Sequence, residues 1–303
     1  MPIDEFIIKI YLMVDDYYKK IVTNRLRQGG YAPKLTDSEI ITMEIVGEFL
    51  QMDTDSQIHQ YFKQHWQTWF PQIGSYPNFA KQCVNLLQVK TLIQQHIVKQ
   101  HGQDNIHFID GFPIPVCQYA RAYRHKTFKY EGSYSYCASK QQKYFGFEGH
   151  LLINLSGMIT NFTFASAKID ERLVAPDMLD NIKGLLGADM GYISPDLSEY
   201  CFKRCVDLQT PLRKNMPDKR PISVVNRLKN ARRNIETVIG QLSQRFNMQK
   251  VRARDLWHLS HRFMRKILAH NVCFVINKQL GNPHFSLSCL FQVESGVYLK
   301  EFM

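Results

Sequence analysis

The sequence predicts an α+β (α/β) chain: a mixed sheet flanked by helices, preceded by an all-helical N-terminal domain. Three observations carry that reading. Residues 1–100 hold helix-period apolar stripes and cap signals but no strand-like run. Residues 101–282 switch to short apolar runs bounded by Gly and Pro, interleaved with longer helical patterns. Two of the short runs also end alike. Ile106-His107-Phe108-Ile109-Asp110-Gly111 and Leu185-Leu186-Gly187-Ala188-Asp189-Met190-Gly191 each read as a buried strand delivering an aspartate to a sheet edge. With 303 residues, 45% of them hydrophobic, there is material for one large and one small domain. Residues 283–303 are apolar and unpatterned, a tail with no assigned role.

In the first region, residues 1–25 read as an amphipathic helix with Phe6, Ile7, Ile10, Met13, Val14 and Tyr17 on one stripe, broken by Gly29-Gly30. Thr36-Asp37-Ser38-Glu39 is a capping box ahead of a second helix carrying Ile40, Ile41, Met43, Ile45 and Val46. A third covers Ser56–Trp69 and is closed by Pro71. Pro77-Asn78 marks a turn, and residues 79–99 read as one further helix ending near Gly102. This region is either a plain support layer or a DNA-end-binding domain of helix-turn-helix type. No segment in it concentrates Arg and Lys, so no recognition helix stands out.

Asp110 taken alone reads as a turn residue, since Asp tolerates turn geometry. The stretch from Arg121 through Arg124 and Lys126 to Tyr130 alternates basic and aromatic residues. That suits phosphate contact with base stacking, and equally a solvated loop. Tyr144–Leu155, the turn Ser156-Gly157 and Met158–Ala165 read as a β-hairpin, with Phe145, Phe147 and Gly149 on one face and Gly146, Glu148 and His150 on the other. Asp170-Glu171-Arg172 opens a short helix to about Ile182. After Asp189 come a helix over 195–205, a short strand Leu208–Leu212 and the pair Arg213-Lys214. Pro221 starts a long helix to about Phe246 whose stripe is Ile222, Val225, Leu228, Ala231, Ile235, Val238 and Leu242. Glu236 lies about 100° from Ile235, at the edge of that buried face. Arg232, four residues earlier, could form an exposed ion pair with it. A last helix runs from the cap Asp255 to Gln279, with Gly281 and Pro283 as stop signals.

Charge narrows the function class. The net charge of +11 points to a polyanionic partner, nucleic acid or an anionic membrane surface. Residues 203–254 hold 14 Lys and Arg against Asp207, Asp218 and Glu236, an excess equal to that of the whole chain. No apolar run reaches the roughly 18 residues of a membrane span, and the acidic N-terminus has no secretory pattern, so nucleic acid is favoured and a cytoplasmic location expected. Seven cysteines without a CxxC pair fit reduced thiols rather than a zinc site. There is no P-loop and no HExxH. His258 and His261 read as one ring packed on Trp257 and one solvated, His107 and His150 as core or surface residues, and Ser133, Ser135 and Ser139 lack a nucleophile elbow.

Three acids remain: Asp110, Asp189 and Glu236, at intervals of 79 and 47 residues. Hard divalent cations are held by a few carboxylates together with phosphate oxygens, and two of them can clamp an in-line phosphoryl displacement. In order and in local phrasing (Ile109-Asp110-Gly111-Phe112-Pro113, Ala188-Asp189-Met190-Gly191-Tyr192, Arg232-Arg233-Asn234-Ile235-Glu236), the chain resembles the DDE transposases of bacterial insertion sequences. The resemblance covers roughly residues 104–280. It implies a ribonuclease-H-like five-stranded mixed sheet and a catalytic triad of Asp110, Asp189 and Glu236 that also ligates two Mg²⁺ ions, with Mn²⁺ as substitute. It implies cleavage at the terminal inverted repeats of double-stranded DNA, 3′-OH strand transfer into target DNA, and a homodimer on DNA. Arg121, Arg124, Lys126, Arg213, Lys214, Lys229, Arg232 and Arg233 are the expected DNA contacts. The related signature has Tyr and Lys where this chain has Lys229 and Ser243, and the 47-residue interval leaves no room for a large insertion before the glutamate helix. A nuclease without strand transfer and a non-catalytic DNA-binding protein on the same scaffold are the alternatives.

Overall fold

The computed structural model describes residues 1–24, 26, 33–137, 141–213 and 215–290. The predicted break at Gly29-Gly30, the residues Ser139 and Lys214, and the tail beyond 290 lie outside them. Five helices come first: α1 (Ile3–Ile21), α2 (Asp37–Phe49), α3 (Asp55–His65), α4 (Tyr76–Asn85) and α5 (Leu87–His101). Thr36 caps α2 in a full capping box with Glu39, as the sequence predicts, and Thr54 caps α3 in the same way with Gln57. The single helix expected over 79–99 is two. Pro77 sits in the first turn of α4, where its missing N–H is harmless, and the chain breaks at Leu86 (φ −86°, ψ 9°).

The remainder follows as β1 (Ile106–Gln118), β2 (Ser133–Cys137), β3 (Gln142–Asn154), β4 (Ile159–Ser166), α6 (Glu171–Met178), β5 (Gly184–Gly187), α7 (Pro195–Lys203), β6 (Val206–Gln209), α8 (Ile222–Gln244) and α9 (Leu256–Leu280). The sheet is mixed. β1 runs antiparallel to β3 and parallel to β5, β5 parallel to β6, and β3 antiparallel to β4. It has six strands rather than the five expected, because β2 shares one edge of β3 end to end with β4: β2 pairs with 142–146 and β4 with 147–153. Across its width the order is β4-β3-β1-β5-β6. This is the ribonuclease-H-like arrangement that the resemblance implies, preceded by a helical region.

Asp110 does not stand at the end of its strand. β1 continues through Pro113 and Pro115 to Gln118, paired throughout with β3. What ends near Asp110 is the other neighbour, since the last β1–β5 pair is Phe108 with Gly187. Beyond it β1 is an edge strand, which is why it tolerates two residues lacking an N–H. Asp110 therefore lies at the point where one flank of β1 becomes open.

The sheet packs on both faces. Phe108, Phe112, Ile114, Phe147, Leu151 and Ile153 join a core continuous with α1, α2, α5, α8 and α9, while Ile109, Leu152 and Leu186 pack under α6 and α7. The stripe of α8 is buried only in its second half. Ile235, Val238 and Leu242 are fully covered, whereas Ile222 is 79% exposed, so the first turns overhang the sheet. Residues 283–290 fold back on α9 and bury Leu287 and Leu290.

Polar groups also fill the seam between α9 and the N-terminal helices. Lys90 donates to Glu44 at 2.7 Å, Arg265 to Glu48 at 2.5 Å and to Asp55 at 2.6 Å, and Lys266 to Glu48 at 2.6 Å. His261, read from sequence as packed on Trp257 or solvated, is wholly buried and bonds Glu44 at 2.7 Å. His258 instead pairs with the cap Asp255. Burial pushes the Glu44 carboxyl up, but Lys90, His261 and Arg265 together hold it down at about 2.

Three buried histidines set the acid limit of this fold. Burial depresses His150, His261 and His270 to about 4, against an ordinary 6.5. A depressed imidazole contributes stability above the unfolded value, lost as pH falls toward the folded one. Each forfeits up to about 3 kcal/mol over that interval. Thermal midpoints should therefore fall steeply from about pH 6 to pH 4. A flat profile across that window would show that the rings charge without unfolding the chain.

Candidate active site

The open flank of β1 gathers four carboxylates and one guanidinium. Asp110 shares a face with Phe108 and Phe112, the face on which α8 packs. Asp189 follows β5, and its carboxylate accepts the N–H of Gly191, fixing the tight turn. Arg232 of α8 spans both acids, 3.6 Å from Asp110 and 3.3 Å from Asp189. The Asp110 side chain is 17% exposed and accepts the Gly111 N–H at 2.9 Å. Burial raises its carboxyl to about 6; Arg232 opposes the rise and Asp189 adds to it.

Two glutamates join from the other face. Glu148 pairs across from Pro113 on β3, and Glu171 opens α6. The glycines explain how they reach the aspartates. A β-carbon on Gly111 would stand 3.0 Å from the Glu148 Oε1 and 3.6 Å from the Glu171 Oε2. One on Gly191 would fall 1.7 Å from the Glu171 Oε1 and 3.1 Å from the Asp189 Oδ1. Glu171 thus lies between β1 at Gly111 and the turn that follows Asp189. Burial, then Asp189, Glu148 and Asp110, lift its carboxyl to about 7, and burial followed by Asp110 lifts that of Glu148. The sequence did place Glu148 on the polar face of its hairpin and Glu171 at a helix start. The available signal was the glycine that follows each aspartate closely, Gly111 and Gly191, because the space a β-carbon would take there is met by these two glutamates.

Glu236 occupies a different wall. With Arg232, Arg233 and Lys229 it lines a cavity of about 200 Å³ between α8 and the sheet, closed by Phe108, Gly187, Ala188 and Arg220. It is exposed rather than at the edge of a buried face, and Arg232 turns to the aspartates instead of pairing with it. Among the described residues, no three His, Cys, Asp or Glu side chains stand close enough to hold a metal ion as placed. The donor set is nonetheless all carboxylate oxygen, and one guanidinium offsets four acids. That chemistry fits a hard divalent cation.

The basic residues form two patches. Lys229, Arg232 and Arg233 stand around the cavity, and Arg213 is exposed after β6. Arg121, Arg124 and Lys126 are exposed on and after a 3-10 turn, Tyr119–Arg124, that follows β1. Tyr123 (70% exposed) and Tyr130 (89%) carry Arg124 and Lys129 over their rings. Tyr134, by contrast, is held by ring contacts to Tyr119 and Phe145 on the sheet. The turn lies about 25 Å along β1 from Asp110 at strand rise.

A mixed sheet of this order, with acids on β1 and just after β5 and a basic helix packed over them, defines the ribonuclease-H-like class. The chain belongs to the DDE transposase family: the Transposase DDE domain matches residues 100–256, just over half of it. In fold it is similar to the piggyBac transposase in a synaptic complex with hairpin DNA, at a TM-score of 0.51 and 10% identity, covering 96% of this chain and 75% of that one. No curated protein matches its sequence.

Proposed function

We propose that the chain is an insertion-sequence transposase that cleaves double-stranded DNA at its element's terminal inverted repeats and joins the freed 3′-OH to target DNA. The observation that carries this reading is Arg232, a cation on the basic helix held between aspartates from two neighbouring strands. Asp110, Asp189 and Glu236 are the proposed catalytic and cation-binding acids. Two bound Mg²⁺ ions, or Mn²⁺ in their place, would stabilise charge on the attacking and leaving oxygens. Lys229, Arg232 and Arg233 hold the phosphates beside the acids, and with a phosphate present Arg232 exchanges a carboxylate partner for it. Arg121, Arg124, Lys126 and Arg213 contact the duplex further out, roughly seven base pairs away at about 3.4 Å per pair for the first three. The N-terminal helices are proposed to engage the element ends. α2 cannot be the reading helix, as twelve of its thirteen residues are buried. Two ends must be held together, which a homodimer provides. Among the described residues no helix is long and apolar enough to cross a membrane, and a cytoplasmic, nucleoid-associated location follows from the DNA substrate.

Labelled element ends should be nicked in Mg²⁺ or Mn²⁺ and remain intact in EDTA. Glu236→Gln is expected to lower nicking by on the order of 10²–10³-fold while leaving the mobility shift of end DNA unchanged. Nicking without joining of a pre-cut 3′-OH end would mark a nuclease. No nicking with any divalent ion would leave a DNA-binding protein and defeat the proposal.

A further inference from the structure

We infer that Glu171 is a cation ligand alongside Asp110 and Asp189, entering the site from the α6 side of the sheet, with Glu148 beside it. This rests on the proposed cation site and adds a ligand that the resemblance does not place there. An acid in the first turn of a helix ordinarily faces water and the helix dipole. Asp170, the cap of α6, does so and pairs with Arg172. Glu171 turns inward instead. Its Oε1 lies against Gly191, where a β-carbon would fall 1.7 Å away, and its Oε2 reaches Gly111 of β1, 3.6 Å from where a β-carbon would stand, so the turn after Asp189 is shaped around this one carboxylate.

Tyr192 supplies independent support. Its side chain is wholly buried and its hydroxyl has no hydrogen-bond partner. Tyr192 directly follows Gly191, against which the Glu171 Oε1 and the Asp189 Oδ1 both lie, so the orphan hydroxyl belongs to a residue of the carboxylate-bearing turn. A buried orphan hydroxyl costs about 1–3 kcal/mol unless something at the site takes it up. Four carboxylates around one guanidinium lack positive charge as well. A hard divalent cation held by these carboxylates would answer both needs, supplying positive charge to the acids and a hydration water to the phenol.

The test is cation binding by the full chain without DNA. Mn²⁺ affinity is measured by calorimetry, and Tb³⁺ serves as a luminescent probe excited through tyrosine. Wild type should bind both. Glu171→Gln should weaken Mn²⁺ binding at least tenfold, and Tyr192→Phe should lower tyrosine-sensitised Tb³⁺ emission at saturation. Gly191→Ala changes no carboxylate but displaces the flexible end of Glu171, and it should weaken Mn²⁺ to a similar degree. If Glu171→Gln fails to fold, Gly191→Ala decides alone. Binding within twofold of wild type in the folded variant, while Asp110→Asn abolishes it, overturns the role of Glu171 and spares the transposase site. No Mn²⁺ binding by wild type, or unchanged binding in Asp110→Asn, overturns both.

Discussion

Asp110→Asn should inactivate the protein and, without metal, make it more stable. The loss of cleavage should reach on the order of 10³-fold or more, since the variant removes a charge aimed at the reacting phosphate in a partly dry site. The gain in stability follows from the same burial. The Asp110 carboxyl rises from 3.8 to about 6 in the folded chain. A raised carboxyl favours folding below its unfolded value, and that advantage is lost as pH rises through the folded one. Above about pH 6 the ionised group therefore costs up to about 3 kcal/mol. Asparagine has no such penalty and relieves Asp189 of a like charge, so a gain of about 1–3 kcal/mol in EDTA is expected, a few degrees in thermal midpoint. Adding Mg²⁺ should reverse the order, because only wild type gains stability by binding the ion. Scanning calorimetry of both proteins with EDTA and with Mg²⁺ reads this out. An Asp110→Asn variant of full activity would remove the residue from the site, and one no more stable in EDTA would show that Arg232 fully offsets the burial.

That opposition between function and stability explains which parts of the site were legible in the sequence. Asp110 and Asp189, two of the proposed site acids, stand out because each interrupts an apolar run and the two interruptions are alike, although Asp110 alone also suits a turn. Glu236 was singled out by the basic residues around it, and the fold sets it, exposed, on a different wall from the two aspartates. Glu148 and Glu171 were not, since each sits where an acid needs no explanation, on the outward register of a hairpin and in the first turn of a helix. Their convergence depends on the register of β1 against β3 and on two glycines 80 residues apart, which no local pattern reports. The strand elements were legible by period. β2 escaped because its alternation of Ser and Tyr places partly and fully exposed positions side by side at a sheet edge. The extension of β1 past Asp110 was hidden by its prolines, which signal a turn unless the strand has a free edge.

The seam of α9 and α2 was the least legible part, and it carries the largest expected stability effect. Arg265→Met should destabilise the chain by about 3–5 kcal/mol, a large share of the 5–15 kcal/mol by which a domain is typically stable. Arg265 is fully buried, and its guanidinium serves Glu48 at 2.5 Å, Asp55 at 2.6 Å and, more distantly, Glu44 at 3.7 Å. Removing it leaves Glu48 with Lys266, Glu44 with Lys90 and His261, and Asp55 with the partly exposed Arg262 at 3.4 Å. Arg262 offers the contrast one turn away. It approaches the same Asp55 at 3.4 Å from a partly exposed position, and Arg262→Met should cost less than about 1 kcal/mol. Lys90→Met is expected to resemble Arg265→Met, since Glu44 then keeps only His261 and a distant Arg265. Adding Glu44→Gln should recover at least half of that loss, because the uncompensated charge, and not the missing contact, is what destabilises. Urea unfolding gives each value. Limited proteolysis adds where the failure begins, with cleavage expected first between α1 and α5 while the sheet persists, because these ion pairs join that layer to α9. If Arg265→Met costs no more than Arg262→Met, the apolar contacts of α2 and α5 with α9 hold the seam by themselves.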